Sequence, residues 1–324
     1  MAATLHDFQK PIEKELREFE PRFREDMKSH VALLDTIMRY IVRRKGKQIR
    51  PMLVFLSAKM AGEISESSYR AASMIELLHT ATLVHDDVVD NSYKRRGFFS
   101  INALWKNKIA VLVGDYLLSR GLLLSLDNSE HRLLSLVSRA VREMSEGELL
   151  QIEKTRKLNI GEEVYFEIIR QKTATLFAAA CACGAASVGA KDETVNQYWK
   201  LGELTGIAFQ IKDDLLDFSD GDIGKPHGVD VKEKKMTLPV IYGLKNTTAA
   251  TRRSIISIIS RHSGDAEKVK AVHQFAIESG GVDYAKKKMN EFRTRAIELL
   301  HQLSANDAAT GMKGLIEFTT ERKK

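Results

Sequence analysis

Proline is nearly missing from the middle of this chain. All five stand at positions 11, 21, 51, 226 and 239, so none interrupts the stretch from Met52 to Lys225. Over half of the sequence therefore lacks the commonest helix breaker. Sustained strand-like alternation is absent too, while apolar residues recur at three- and four-residue steps, as in Leu133, Leu134, Val137 and Val141. These absences exclude a sheet-based fold. They predict an all-α protein, a large single-domain helical bundle over 1–324 with several long helices.

Cysteine is scarce. Cys181 and Cys183 are separated by one alanine, which is not zinc spacing, so they read as small buried apolar residues. Nothing asks for an oxidising compartment. The N-terminus has no apolar core behind basic residues and is not a secretion signal. The longest uncharged run, Thr173 to Ala190, is rich in Ala, Gly, Thr and Ser. A spanning helix needs about 20 strongly apolar residues, so this run reads as packed core. The expectation is a cytoplasmic protein without stable membrane insertion.

Charge is not scarce, and it is unbalanced at a net +7. Basic residues cluster at 43–50, 93–96, 232–235, 285–288 and 321–324, without interleaved aromatics or a zinc-finger or RNA-recognition signature. The first three clusters lie beside acidic motifs. An anionic small substrate explains that better than a nucleic acid does.

The acidic motifs are "HDDVVD" at 85–90 and "DDLLD" at 213–217. Helical positions i and i+4 nearly stack, so Asp86 and Asp90 share a face with Asp87 turned aside. Asp213 and Asp217 pair the same way, with Asp214 offset. Carboxylates crowded within a turn repel unless something positive sits among them, and oxygen-only clusters suit hard cations such as Mg²⁺. One such motif is as easily an exposed helix end. Two, each preceded by apolar helical sequence, point to a pair that would clamp a diphosphate through bridging Mg²⁺. Arg95, Arg96, "GKQIRP" (46–51), Lys172-Thr173 and "GKPHGVD" (224–230) supply cations for phosphate.

These residues resemble the trans-type polyprenyl (isoprenyl) diphosphate synthases. The likeness runs from "GKQIRP" through "HTATLVHDDVVDNSYKRRG", "AVLVGDYLLSR", "RQKTATLF" and "FQIKDDLLDF" to "GKPHGVDVKEKKMTLP". It implies an isoprenoid-synthase-type bundle with a central substrate cavity, working as a homodimer, with the N-terminal helices (about 1–45) adding packing or dimer contacts. It also implies a catalysed reaction. Asp86, Asp87, Asp90, Asp213, Asp214 and Asp217 would hold about three Mg²⁺ around an allylic diphosphate. Ionisation gives an allylic cation, isopentenyl diphosphate attacks it, and the departing diphosphate takes the proton. Lys47, Arg50, His79 and Arg96 would bind isopentenyl diphosphate. Arg95, Lys172, Thr173, Gln210, Lys225 and Lys235 would serve the allylic side, with the Thr173 and Gln210 oxygens near the cation. The chain departs from the family at Lys234, where glycine is usual, and at Phe99, where proline is frequent.

In this family the growing chain slides beneath the first aspartate cluster. Ala81 and Thr82, five and four residues before Asp86, are small where short-chain members are bulky. The expected floor lies deeper, at Met74, Ile75 and Leu78 with Leu122, Leu123 and Leu126. The expected product is a long all-trans chain of the octaprenyl type, as used for quinone side chains. The alternatives are a geranylgeranyl or farnesyl diphosphate synthase, or the catalytic subunit of a two-component synthase. Outside the family, His85-Asp86 admits a metal-dependent phosphohydrolase, but few histidines stand near either cluster. A terpene cyclase usually has Asn, Ser or Thr and Glu where this chain reads "DDLLD".

Overall fold

The computed structural model describes residues 5–43, 46–95, 97–157, 160–218 and 229–321. They form sixteen α-helices, and the strand content among them is one short hairpin, Lys94–Arg95 against Phe98–Phe99. The all-α expectation holds. The hairpin escaped the sequence pattern because two-residue strands are too short to alternate.

The chain divides into two compact units. The first comprises 1–141, 176–202 and 301–312. Its helix Ile49–Ala61 is buried all round, from Pro51 through Ala58, as befits a helix apolar on every side. Part of Thr175–Ser187 packs on it through small residues. A Cβ added at Gly184 would stand 2.3 Å from the Val54 carbonyl oxygen, so only glycine permits that approach. Cys181 and Cys183 are free and fully buried there, as the sequence suggests, and burial pushes both thiols up.

Helix Glu66–Val89 lies along Ile101–Leu126. Leu77, Ala81 and Val84 meet Ala110, Val113 and Leu117 in one apolar cluster, which Met27, Ile37 and Met38 complete. At the start of Glu66–Val89 the Ser65 N–H donates to Ser68 Oγ (3.2 Å), and Ser65 Oγ donates to the Ser187 carbonyl (3.1 Å). One of the four orphan donors of a helix start is thereby satisfied.

The second unit comprises 142–175, 203–300 and 313–324. Its core joins Ile207, Ile211 and Leu215 to Leu238, Val240 and Ile241, with Val269, Val272 and Ala276 from helix Ala266–Glu278. Helix Glu162–Ile169 runs directly into a π-helical turn, Arg170–Ala174.

Candidate active site

Each aspartate cluster stands at the end of a helix. Asp86 and Asp87 lie in the last turn of Glu66–Val89 and Asp90 caps it, its N–H donating to the Asp86 carbonyl at 2.8 Å. Asp213 and Asp214 lie in the last turn of Asp192–Leu216, and Asp217 follows. A helix C-terminus carries the partial negative end of the backbone dipole, which disfavours carboxylates. Placing two clusters there sacrifices stability, which a bound cation would offset.

In the first unit Asp87 is buried, 4% exposed, while Asp86 is half-buried and Asp90 exposed. The predicted facing pair is thus the accessible one. The Asp87 carbonyl accepts from Ser92 N–H (2.9 Å) and from Asn102 Nδ2 (3.0 Å). His79 is half-buried, and its carbonyl accepts from the Thr82 hydroxyl at 2.9 Å. Lys47 precedes helix Ile49–Ala61 and Arg50 sits in its first turn, with the Arg50 guanidinium 5.5 Å from the centre of the Phe177 ring. Two cations at a helix N-terminus suit an anion. His85 turns to the neighbouring helix, with Nε2 3.2 Å from the Val111 carbonyl and 3.4 Å from Asp115.

The expected chain-length residues Met74, Ile75, Leu78 and Ala81 are all buried. Leu123 and Leu126 are not: they are 45% and 50% exposed. A wall residue of an enclosed shaft is covered, so within one chain the exposure of Leu123 and Leu126 does not suit them to the expected floor, whereas the burial of Met74, Ile75 and Leu78 is compatible with it. Arg95 contributes its backbone to the hairpin, and Arg96 and Lys225 lie outside the described residues.

The second unit draws four predicted residues into one network. Thr173 Oγ1 donates to Gln210 Oε1 (2.8 Å), and Gln210 Nε2 donates to Asp214 Oδ1 (3.0 Å). Lys235 Nζ donates to the same oxygen at 2.8 Å, and the Tyr165 hydroxyl donates to Asp214 Oδ2 at 2.8 Å. Asp214 is wholly buried. The sequence grouped it with the metal ligands, but both its oxygens are committed to three protein donors. The offset position in the helix turns it inward, where it serves as the network's charge anchor. Asp213 is exposed, and Asp217 Oδ2 lies 3.4 Å from His273 Nε2.

Charge follows from this packing. Burial pushes the Lys235 ammonium down, but the carboxylates of Asp214 and Asp230 outweigh it and hold the lysine above its ordinary value. Burial pushes Asp230, 3.5 Å from Lys235, up to about 6 against the pull of that lysine. Burial and the Asp214 charge push the Tyr165 phenol well up, so it stays a donor. Lys172 Nζ meets Glu148 Oε2 at 2.6 Å and Gln151 Oε1 at 3.4 Å.

Tyr165 and His273 were not legible in the sequence, since each meets its aspartate across a long separation, and neither was Asp230, which meets Lys235 across a turn. Lys234 was, because the family's glycine marks the position. Helix Val229–Lys232 closes with the Lys235 N–H on the Asp230 carbonyl (2.8 Å) and the Lys234 N–H on the Val231 carbonyl (3.0 Å). That closure needs a left-handed residue, usually glycine, and Lys234 adopts φ 58°. A side chain there costs about 1–2 kcal/mol, while glycine's extra unfolded freedom returns about 0.5–1 kcal/mol. Lys234→Gly should therefore raise stability by up to about 1.5 kcal/mol, read as a higher urea midpoint. A lower midpoint would show that the lysine is not strained. Phe99, the other departure, lies in the hairpin, where its carbonyl accepts from the Tyr40 hydroxyl at 2.7 Å.

Among the described residues, no three acidic, histidine or cysteine side chains converge as a ready-made cage. Mg²⁺ characteristically takes one or two protein carboxylates and completes its shell with waters and substrate phosphates. Hard oxygen donors at helix ends fit an ion that arrives with its diphosphate.

Known proteins agree with this chemistry. The pattern of the family described as polyprenyl synthetase matches residues 31–276. The all-trans-nonaprenyl-diphosphate synthase (geranyl-diphosphate specific) of Rhodobacter capsulatus is 37% identical over 320 residues, 98% of this chain and 97% of that one. The octaprenyl diphosphate synthase of Escherichia coli is 34% identical over 300 residues, 92% and 93% of the two chains. A crystal structure of a polyprenyl synthase from Caulobacter crescentus, complexed with calcium and isoprenyl diphosphate, superposes with a TM-score of 0.92 at 30% identity, covering 100% of this chain and 99% of that one. With one pattern running through both aspartate motifs and relatives matching nearly end to end, the chain belongs to the polyprenyl synthetase family.

Proposed function

We propose that this protein is a Mg²⁺-dependent prenyltransferase, a single synthase domain that condenses isopentenyl diphosphate head-to-tail onto an allylic diphosphate. Its product is a long all-trans polyprenyl diphosphate, and diphosphate is released. The observation that carries the reading is the family match across both acidic motifs, with Thr173, Gln210, Asp214 and Lys235 linked as the chemistry requires.

Asp86, Asp90, Asp213 and Asp217 offer the metal ligands. The ions, when bound, supply the positive charge that steadies the leaving diphosphate. Lys172 and Lys235 add fixed charge on the allylic side, and Lys47, Arg50 and His79 hold isopentenyl diphosphate. Asp214 sets the amide of Gln210. Only its NH₂ can face a carboxylate, so its oxygen must face Thr173. The Thr173 hydroxyl then donates to that oxygen and keeps its own lone pairs outward. Two oriented oxygen dipoles stabilise a developing allylic cation without reorganising. The departing diphosphate takes the proton.

The test is direct. Purified protein, isopentenyl diphosphate, Mg²⁺ and either farnesyl or geranylgeranyl diphosphate should give a lipid several isoprene units longer than the primer. Names among the relatives, nonaprenyl and octaprenyl, support the long product, as do the small side chains of Ala81 and Thr82. Activity that needs an added second protein would instead mark a catalytic subunit of a two-component enzyme.

We also propose a homodimer, acting in the cytoplasm. Helix Ile101–Leu126 is long and apolar enough to cross a membrane. Yet Ile101, Ala110, Val113 and Leu117 bury one side of it in protein, and Lys106, Lys108, Asp115 and Arg120 interrupt it. Its other side exposes Leu104, Val111, Leu112, Leu123 and Leu126, a stripe that a second copy would cover. Leu112→Glu with Leu123→Glu should halve the mass seen by light scattering. An unchanged mass would move the interface elsewhere.

A further inference from the structure

The turn that carries Lys172 and Thr173 is not α-helical. Residues Arg170–Ala174 form a π-helix, in which the Thr175 N–H donates to the Arg170 carbonyl, five residues back. Such turns are rare and need a local reason. No feature of "RQKTAT" itself supplies one. The reason stands on the facing helix, His131–Lys157.

Glu143 of that helix is buried, its side chain 8% exposed. Its Oε2 accepts from Arg170 Nη1 at 2.9 Å and from Thr175 Oγ1 at 3.1 Å. These are the same two residues that the π hydrogen bond joins. In an α-helix, residues five apart point about 140° away from each other. Only the wider π winding brings both side chains to one carboxylate oxygen. A buried carboxylate left short of donors is expensive, so Glu143 favours the π register over the α register. One helical turn further on, Gly147 admits the bulge: a Cβ there would stand 2.7 Å from Gln171 Cβ and 2.9 Å from the Lys172 nitrogen. A turn beyond that, Gln151 meets Lys172. Glu143, Gly147 and Gln151, each four residues apart, form one stripe against the bulge.

We propose that Glu143 is a positioning residue that holds the 170–175 segment in its π register, and so sets where Lys172 and Thr173 stand. The register shifts Thr173 onto Gln210 while Lys172 faces Glu148. The catalytic consequence rests on the allylic-side roles proposed above for Lys172 and Thr173; the effect on the register does not.

Two variants test it, Glu143→Gln and the milder Thr175→Val, which removes only the hydroxyl donor. Hydrogen exchange read by mass spectrometry on the peptide covering 169–176 should quicken at least tenfold in both, with the rest of the map unchanged. Steady-state assays should show kcat down about tenfold or more and KM for the allylic diphosphate raised, with KM for isopentenyl diphosphate within twofold. Unchanged exchange in folded variants overturns the proposal, whatever the activity does. Quickened exchange with wild-type kinetics overturns the link to Lys172 and Thr173. If Glu143→Gln does not fold, Thr175→Val decides. Full activity in Lys172→Ala and Thr173→Ala would sink the functional reading alone, leaving the exchange result to judge the register.

Discussion

Changing Asp214 to asparagine should both destabilise this prenyltransferase and stall it, whereas Asp213→Asn should stall it and leave its stability alone. The two residues are adjacent, and chemistry alone does not distinguish them. Burial does. Asp214 is inaccessible and neutralises Lys235 at 2.8 Å while accepting from Tyr165 and Gln210. Asparagine keeps the volume but turns an NH₂ toward at least one of those donors. Breaking one side of a buried ion pair costs about 3–5 kcal/mol, and the lower end applies because the Lys235 side chain keeps 26% of its exposure. With the Gln210 amide no longer held, kcat should fall by about 10²–10³, the range for losing one oriented group at a developing charge.

Asp213 is exposed, so its replacement should change stability by no more than about 0.5 kcal/mol while raising the Mg²⁺ concentration needed for half-maximal rate. Urea unfolding and a Mg²⁺ titration, run on both variants, separate the roles. If Asp214→Asn unfolds like the native chain, or shifts the Mg²⁺ requirement as far as Asp213→Asn does, then Asp214 is a ligand and not an anchor. Tyr165→Phe is the softer form of the same experiment. It removes one donor and should lose about 1–3 kcal/mol as the carboxylate goes short.

The contrast between those neighbours shows what a sequence yields and where it stops. Helical spacing alone placed Asp86 with Asp90 and set Asp87 aside, and the burial of Asp87 agrees. The same arithmetic offset Asp214 from Asp213 but could not say what waited on the other side. Tyr165 is 49 residues away from Asp214, and no periodicity links them. The π turn escaped for a related reason. Apolar spacing tolerates a one-residue slip over a single turn, and the cause of the slip, Glu143, belongs to another helix. The helices themselves were readable because a proline-free chain with three- and four-residue apolar steps has few alternatives. Lys234 was readable only through the family resemblance, whose usual glycine marks a position that the structure shows to be left-handed.

Replacing Ala81 with phenylalanine should shorten the product by several isoprene units. The geometry makes the outcome discriminating. Thr82 stands four residues before Asp86 and shares its face, but Ala81, five before, points about 140° away. It lies in the cluster where Glu66–Val89 meets Ile101–Leu126, beside Leu77, Val84, Ala110, Val113 and Leu117. Two physical situations give opposite results there. If Ala81 borders a shaft that the growing chain enters between those helices, a phenyl ring occupies space that product otherwise fills. The protein then folds normally, and elongation ends early. If Ala81 only packs in solid core, the ring is an overpacking error worth about 1–3 kcal/mol, and what survives makes the original product. Chromatography of the lipid beside a thermal melt reads both. A short product with an unchanged melt places the shaft between the helices. A depressed melt with an unchanged product removes Ala81 from the wall and leaves the length to be set along the Asp86 face, by Thr82, Leu78 and Ile75, which recur on it at helical spacing.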